Sequence, residues 1–367
     1  MVYSRVVDQD ALDIIEFCGT DIILDKLINK TFLITGASGM VGSYIIYTLL
    51  KLNELYDANI QIKAVVRNPQ KLDRSIRYDD YVEVIEQDII DPISVDGEID
   101  YIVHAASPAS PKIMSEHPVE TNFANTIGTA NTLKLALEKN AQGYLFISSR
   151  EIYGEPNPGQ ELFTEDGPLG QVNPLIPRNG YAEGKKAAEN MCVGFKEQFG
   201  LNTKIVRLAH TYGPGMSIYD GRVQADFLNN ILHEQDIVLK SDGSSVRTYT
   251  YIADAIKAMF LVLLASNDVV YNIADENSKT SIRELAETLV GLEKDKGLKL
   301  VFDIPKDAPK GTASFKNGIL STDKIRKELG WYPTYSIKEG FARTVEHLKV
   351  ELNNEPARKL EKKYNDK

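Results

Sequence analysis

Tyr181-Ala182-Glu183-Gly184-Lys185 places a phenol and an ammonium four residues apart, and so on one face of a helix. The nearby positive charge favours the phenolate, which lets Tyr181 exchange a proton with an alcohol or sugar hydroxyl. The spacing alone is not distinctive, since Tyr47 and Lys51 share it and are expected at the surface of another helix. Context separates the two pairs. Upstream of Tyr181, Ser148-Ser149-Arg150-Glu151-Ile152-Tyr153-Gly154 ends an apolar strand and brings hydroxyl and carboxylate groups to the carboxyl edge of a sheet, where open α/β folds bind their ligands.

A second cluster concerns the backbone. In Lys30-Thr31-Phe32-Leu33-Ile34-Thr35-Gly36-Ala37-Ser38-Gly39-Met40-Val41-Gly42 an apolar strand runs into a G-x-x-G-x-x-G loop and then into an apolar helix. Gly36 suits the tight turn, Gly39 a close approach to a pyrophosphate, and Gly42 close packing of helix on strand, with phosphates at the positive end of the helix dipole. The plainer reading of the glycines alone is an ordinary strand-to-helix turn.

These groups need a scaffold, and the apolar pattern predicts one. Strand-like runs at Phe32–Thr35, Ile62–Val66, Val82–Ile85, Tyr101–His104, Tyr144–Ser148 and Lys204–Leu208 alternate with helical segments. That alternation predicts an α/β fold, a doubly wound parallel (Rossmann) sheet with a smaller C-terminal substrate-binding lobe. Residues 1–30 read as an amphipathic helical extension padding the outside of the sheet, with Ala11, Ile14, Ile15, Phe17 and Cys18 apolar. Residues 31–210 read as the dinucleotide-binding domain, 211–350 as mainly the substrate lobe, with strands that can return to the sheet, and 351–367 as a polar tail.

Composition narrows the function. The 367 residues carry a net charge of -10, which argues against a nucleic-acid partner. Two cysteines, Cys18 and Cys192, make neither a disulfide framework nor a zinc site and suit a reducing, cytoplasmic compartment. No apolar run reaches the length of a membrane span: Ala258–Ala265 reads as a buried helix segment. The N-terminus does not read as a signal peptide.

Glycine loop, serine-bearing strand end and Tyr/Lys pair, in that order, resemble the extended short-chain dehydrogenase/reductase superfamily and its nucleotide-sugar epimerases, dehydratases and decarboxylases, from residue 30 to about 350. The chain is most similar to the UDP-glucuronate decarboxylase group. The matching segments are His104-Ala105-Ala106-Ser107-Pro108-Ala109-Ser110-Pro111, Thr121 to Thr129, Val172-Asn173-Pro174 with Pro177-Arg178, Asp220-Gly221-Arg222-Val223, and Arg247 before Tyr251-Ile252-Ala253-Asp254.

The resemblance implies that Ser149 and Tyr181 polarise a sugar 4-hydroxyl while Lys185 tunes the tyrosine and holds the nicotinamide ribose. It implies NAD or NADP against Gly36, Ser38, Gly39, Met40, Val41, Gly42, Arg67, Asp88, Ile89, Ala105, Ala106 and Ser107. A nucleotide-sugar would lie against Pro108, Ser110, Arg178, His210, Arg222, Val223 and Arg247, with Arg222 and Arg247 on the diphosphate because guanidinium forks bind phosphate oxygens in pairs. It also implies a homodimer through the helices after Pro118 and Tyr181, with Phe123, Ile127, Ala187, Ala188, Met191 and Cys192 as contact positions.

Departures from the family pattern bear on the substrate. Arg67 stands where NAD-preferring relatives carry an acid, which leaves NADP open. Asp88 resembles an adenine contact, with helix capping before Pro92 as the alternative. Arg150 replaces the aspartic acid of the 4,6-dehydratases and cannot supply a proton near neutral pH, which disfavours simple dehydration. Glu151 can act as a base at C5 or pair with Arg150. The decarboxylases' arginine-bearing segment becomes Lys306-Asp307-Ala308-Pro309-Lys310-Gly311-Thr312, and His210 and Gly215 replace an expected asparagine and arginine. The implied activity is decarboxylation of a UDP-uronic acid through a 4-ketone. The alternatives are a 4-epimerase, a keto-sugar reductase or a non-catalytic nucleotide sensor.

Overall fold

The structure, a computed structural model, describes residues 2–305 and 319–365. The six strand-like runs form β1 (Thr31–Thr35), β2 (Gln61–Val66), β3 (Val82–Glu86), β4 (Tyr101–His104), β5 (Gly143–Ser149) and β6 (Thr203–Leu208). A seventh strand, β7 (Val270–Ile273), returns from the second half, and the sheet has the order β7-β6-β5-β4-β1-β2-β3. Every neighbouring pair is parallel. The chain therefore winds outward in both directions from the β1/β4 junction, where Thr35 lies between Val65 and His104. The loops leaving β1 and β4 diverge there and open a crevice at the carboxyl edge.

Alternation along the strands sends side chains to both faces. Phe32 and Ile34 join a core with α3 (Met40–Tyr56) and α6 (Ile252–Ala265). Leu33 joins the other core, with α4 (Pro118–Glu138) and α5 (Gly180–Phe199), through Leu133, Ala188 and Cys192. Each fully buried large apolar side chain contributes roughly 1.5–3 kcal/mol.

The N-terminal extension is helical, as α1 (Arg5–Cys18) and α2 (Thr20–Leu27). It lies one layer further out than expected, since α1 packs on α3 and α6 rather than on the sheet. Asp10 anchors it, accepting hydrogen bonds from Tyr44 (2.8 Å) and Tyr251 (2.6 Å) and pairing with Arg343. This layer corrects the surface position expected of Tyr47 and Lys51. Both are buried, with the Tyr3 ring 5.5 Å from the Tyr47 ring and Lys51 paired with Asp8 and Glu54.

Residues beyond 210 divide between two places. Within them α6 and β7 complete the sheet, and the rest forms short paired strands, a helix at Val223–Leu232, and another at Ile282–Leu292 opened by the reciprocal cap of Ser281 and Glu284. The last helix, α7 (Ile337–Asn365), continues through most of the tail. The Lys306–Thr312 segment lies outside the described residues. Cys18 and Cys192 are free and buried. Among the described residues no helix is long and apolar enough to cross a membrane.

Candidate active site

The loop from Gly36 to Gly42 sits at the crevice. Gly36 has φ +66°, and a Cβ there would lie 2.8 Å from the Ala105–Ala106 backbone, so only glycine lets the β1 and β4 loops meet. A Cβ on Gly42 would reach the Gly36 carbonyl oxygen at 2.5 Å, which explains the close seat of α3 on its own strand. Gly39 is the N-cap of α3 and supplies no side-chain cap, leaving first-turn N–H groups of Met40, Val41 and Gly42 for an anion. The floor is polar: Thr35 Oγ1 pairs with His104 Nδ1 at 2.8 Å and accepts the Ala106 N–H at 3.2 Å. Ser107 is held by Asn125 at 2.9 Å. At the outer end of the crevice, Arg67 is largely exposed and 4.0 Å from Asp88. Asp88 accepts the Ile90 N–H at 3.2 Å in a turn, and no helix starts there, so the helix-capping alternative is set aside. The arrangement fits a dinucleotide diphosphate.

At the end of β5 the Ser149 Oγ accepts the Glu151 N–H at 3.2 Å, starting one 3-10 turn, Arg150–Tyr153. Tyr181, in the first turn of α5, is buried beside it. Burial pushes its phenol up to about 12, helped by the Glu151 carboxylate, while the Ser149 hydrogen bond and the charges of Arg222 and Arg178 pull the other way. Lys185 is buried one turn on, its Nζ 2.7 Å from the Ile147 carbonyl and 5.8 Å from the Tyr181 ring centre. Burial pulls its ammonium down to about 7, against the carboxylate of Glu189. The Tyr181 hydroxyl, the Ser149 hydroxyl and the Lys185 amine thus converge beside the crevice, as a proton-transfer set requires.

The substrate side is rich in guanidinium groups. Glu151 pairs with Arg178 through both forks, at 3.1 and 3.0 Å, and not with Arg150 as the alternative reading had it. Arg222 bonds Asp220 at 3.1 Å and the Ala109 carbonyl, and Ser110 donates to the Asp220 carbonyl at 3.0 Å. These contacts draw the Pro108 loop and the start of the Val223–Leu232 helix together. His210 opens a short strand, His210–Tyr212, paired with Tyr249–Tyr251, with Arg247 just ahead of the latter. Burial first, then the charges of Arg150, Arg247 and Arg222, pull its imidazole down to about 3.

Sequence reasoning gave no role to Thr35, Asn125 or Asp220, which hold His104, Ser107 and Arg222. Asn125 and Asp220 stood inside the quoted motifs, a signal that could have found them. The Glu151–Arg178 pair was visible only as opposite charges on two loops.

Buried neutral histidines make stability depend on pH. Below the ordinary histidine value of about 6.5 the unfolded chain takes up protons that folded His104 and His210, both pulled to about 3, refuse. Their contribution is complete above that value and is lost as pH falls toward the folded values. Urea unfolding of His210→Asn between pH 7.5 and 5 should show a shallower loss of stability than the parent chain; an equal slope would mean that His210 does not carry this effect.

A family model, the NAD dependent epimerase/dehydratase family, matches residues 32–274. UDP-glucuronic acid decarboxylase 6 of Arabidopsis thaliana is 31% identical over 327 residues, covering 88% of this chain and 90% of the relative. UDP-glucuronic acid decarboxylase 1 of Xenopus tropicalis is 28% identical over 330 residues, covering 89% and 74%. Among solved structures, the UDP-glucose 4-epimerase of Thermotoga maritima with UDP-glucose superposes with a TM-score of 0.71 at 23% identity, over 88% of this chain and 99% of that one. A dTDP-glucose 4,6-dehydratase of Streptomyces venezuelae with NAD bound gives 0.70 at 23% identity, over 87% and 97%. The structural likenesses establish the fold.

Proposed function

The chain belongs to the NAD dependent epimerase/dehydratase family, and on that footing we propose that it decarboxylates a UDP-uronic acid through a 4-keto intermediate. The observation that carries this reading is the complete Ser149, Tyr181 and Lys185 set beside a glycine cradle in a chain similar to UDP-glucuronic acid decarboxylases over most of its length.

NAD would lie with its diphosphate on the first turn of α3, its adenosine toward Arg67, Asp88 and Ile89, and its nicotinamide ribose at Tyr181 and Lys185. When bound, it supplies a reversible hydride acceptor. Tyr181 Oη would take the proton of the sugar C4 hydroxyl as its phenolate, a form that burial opposes and that the positive nicotinamide of a bound cofactor would favour, while Ser149 Oγ would hydrogen-bond the same oxygen as it becomes a carbonyl. The 4-ketone is β to the carboxylate, so the C5–carboxyl electron pair can move into the carbonyl and carbon dioxide leaves. The resulting enolate would be protonated at C5 by a proton drawn from solvent, and Tyr181 would give its proton back to the C4 oxygen as the bound cofactor restored the hydride it accepted. One proton is consumed and one carbon dioxide released per turnover, with no net oxidation. The lobe built around Arg222 and Arg247 would hold the nucleotide diphosphate.

Mass spectrometry of products from a nucleotide-sugar panel with NAD tests the proposal. Loss of carbon dioxide from UDP-glucuronate supports it. Loss of water, a stereochemical change at constant mass, or cofactor binding without turnover would instead assign a dehydratase, an epimerase or a sensor.

Arg67 is the residue on which cofactor choice turns. Arg67→Asp should move the affinity ratio toward NAD, because a carboxylate accepts a ribose hydroxyl and repels a 2′-phosphate; titrations giving an unchanged NAD/NADP ratio would place Arg67 away from the ribose.

The α4–α5 face supports a homodimer. Val119, Phe123 and Ile127 on α4 and Val193 on α5 are exposed apolar residues. Ala188 and Cys192 are withdrawn as contact positions, since both are buried against the sheet. Sedimentation at micromolar concentration should give a dimer, and a monomer would contradict this assembly.

A further inference from the structure

Several cations surround the site, and most of those described have acceptors. Arg178 is engaged by Glu151, Arg222 by Asp220 and Ala109, Lys185 by the Ile147 carbonyl, and Arg247 donates to the Val246 carbonyl at 2.9 Å. Arg150 is the exception. Its side chain is half-buried, yet among the described residues it makes no hydrogen bond or close ion pair. Its charged neighbours are Glu151, whose carboxylate is already held by Arg178, and the like-charged Arg247.

A guanidinium carries five N–H donors, and those of Arg150 have no acceptor among the described residues. The group that satisfies such a fork is a planar anion, with two parallel bonds. The choice of anion follows from the turn it sits in. Arg150 lies between Ser149 and Glu151, the residues assigned to C4 and C5, and near His210 on the substrate side, whereas Arg222 sits on the Asp220 loop. We propose that Arg150 recognises the carboxylate of the sugar and so selects uronic-acid over neutral-hexose nucleotide-sugars. The inference rests on the nucleotide-sugar reading above. It gives Arg150 a specificity role: it binds the group that distinguishes the two sugars.

UDP-glucose and UDP-glucuronate differ only at C6, which makes them the probes. With NAD present, calorimetry on the parent protein should show UDP-glucuronate binding more tightly than UDP-glucose. In Arg150→Met, which keeps much of the length and loses the charge, UDP-glucuronate should weaken by roughly 10²-fold, the scale for losing one partner of a buried charge pair, with UDP-glucose and UDP unchanged. Arg150→Lys, which keeps the charge without the fork, should fall between, and it decides the matter if the methionine variant does not fold. With UDP-glucuronate as substrate, the loss should appear mainly in KM.

Equal weakening of UDP, UDP-glucose and UDP-glucuronate would overturn the proposal by making Arg150 a diphosphate ligand or a structural residue. Unchanged UDP-glucuronate affinity in both variants would overturn it while leaving the decarboxylase reading intact. A parent protein that binds UDP-glucose and not UDP-glucuronate would overturn both.

Discussion

Tyr181→Phe lowers turnover by at least ~10²-fold, the usual scale for a positioned acid–base group, and leaves nucleotide-sugar binding in place. The ring is buried, so phenylalanine keeps its packing and only the hydroxyl is lost. That hydroxyl is the atom that must take the C4 proton, and Ser149 cannot replace it, since a serine hydroxyl can hydrogen-bond the oxygen but is a poor base. Tyr47→Phe is the matched control. Its hydroxyl lies 3.3 Å from the Ser75 hydroxyl beneath the N-terminal segment, remote in the fold from the β5 end. Activity should be nearly unchanged there. Steady-state kinetics on UDP-glucuronate check both variants; full activity in Tyr181→Phe, or a collapse in Tyr47→Phe, would place the chemistry on the wrong helix.

Gly39→Val should cost at least ~10²-fold in NAD affinity, through displaced hydrogen bonds to a charged diphosphate worth roughly 1.5–3 kcal/mol each. The fold should tolerate it, because a Cβ at Gly39 meets only the Gly36 carbonyl oxygen, at 3.2 Å. Gly42→Val is the contrast. Its Cβ would meet the Gly36 oxygen at 2.5 Å and the Ala37 Cα at 2.8 Å, backbone atoms that cannot step aside, so this variant should lose stability as well as cofactor. Thermal unfolding of the cofactor-free proteins with an NAD titration separates the two. Parent-like NAD affinity in Gly39→Val would show that the loop does not cradle the diphosphate.

The six early strands were legible because each is a short run rich in apolar residues, most of them buried on both faces with only the edge strand β3 half-exposed, and the strand-to-helix alternation admits few topologies. Tyr181, Lys185 and Ser149 were legible for a related reason: parallel connection puts every strand end on one edge, so residues at strand ends and helix starts meet. What periodicity does not encode is what covers a face. Tyr47 and Lys51 looked exposed on α3, and only the packing of α1, some forty residues earlier in the chain, buries them. The helix α5 carries small and apolar residues on more than one side, so its pattern did not say that Ala188 and Cys192 meet the sheet rather than a partner. The Glu151–Arg178 pair joins two loops whose approach depends on how α5 docks, and Arg150, one residue from Glu151, was its obvious but unused mate.

In the proposed reaction C4 is oxidised and then reduced again while the carboxylate leaves. Single-turnover reaction of UDP-glucuronate deuterated at C4, followed by mass spectrometry, tests it most directly. The expected product is lighter by carbon dioxide and keeps its deuterium at C4, and it forms more slowly than from unlabelled substrate because the same hydride leaves and returns. Carbon dioxide loss from the cofactor-free protein would mean that C4 is never oxidised, and a product that retains its carboxylate would mean that the reaction is not decarboxylation.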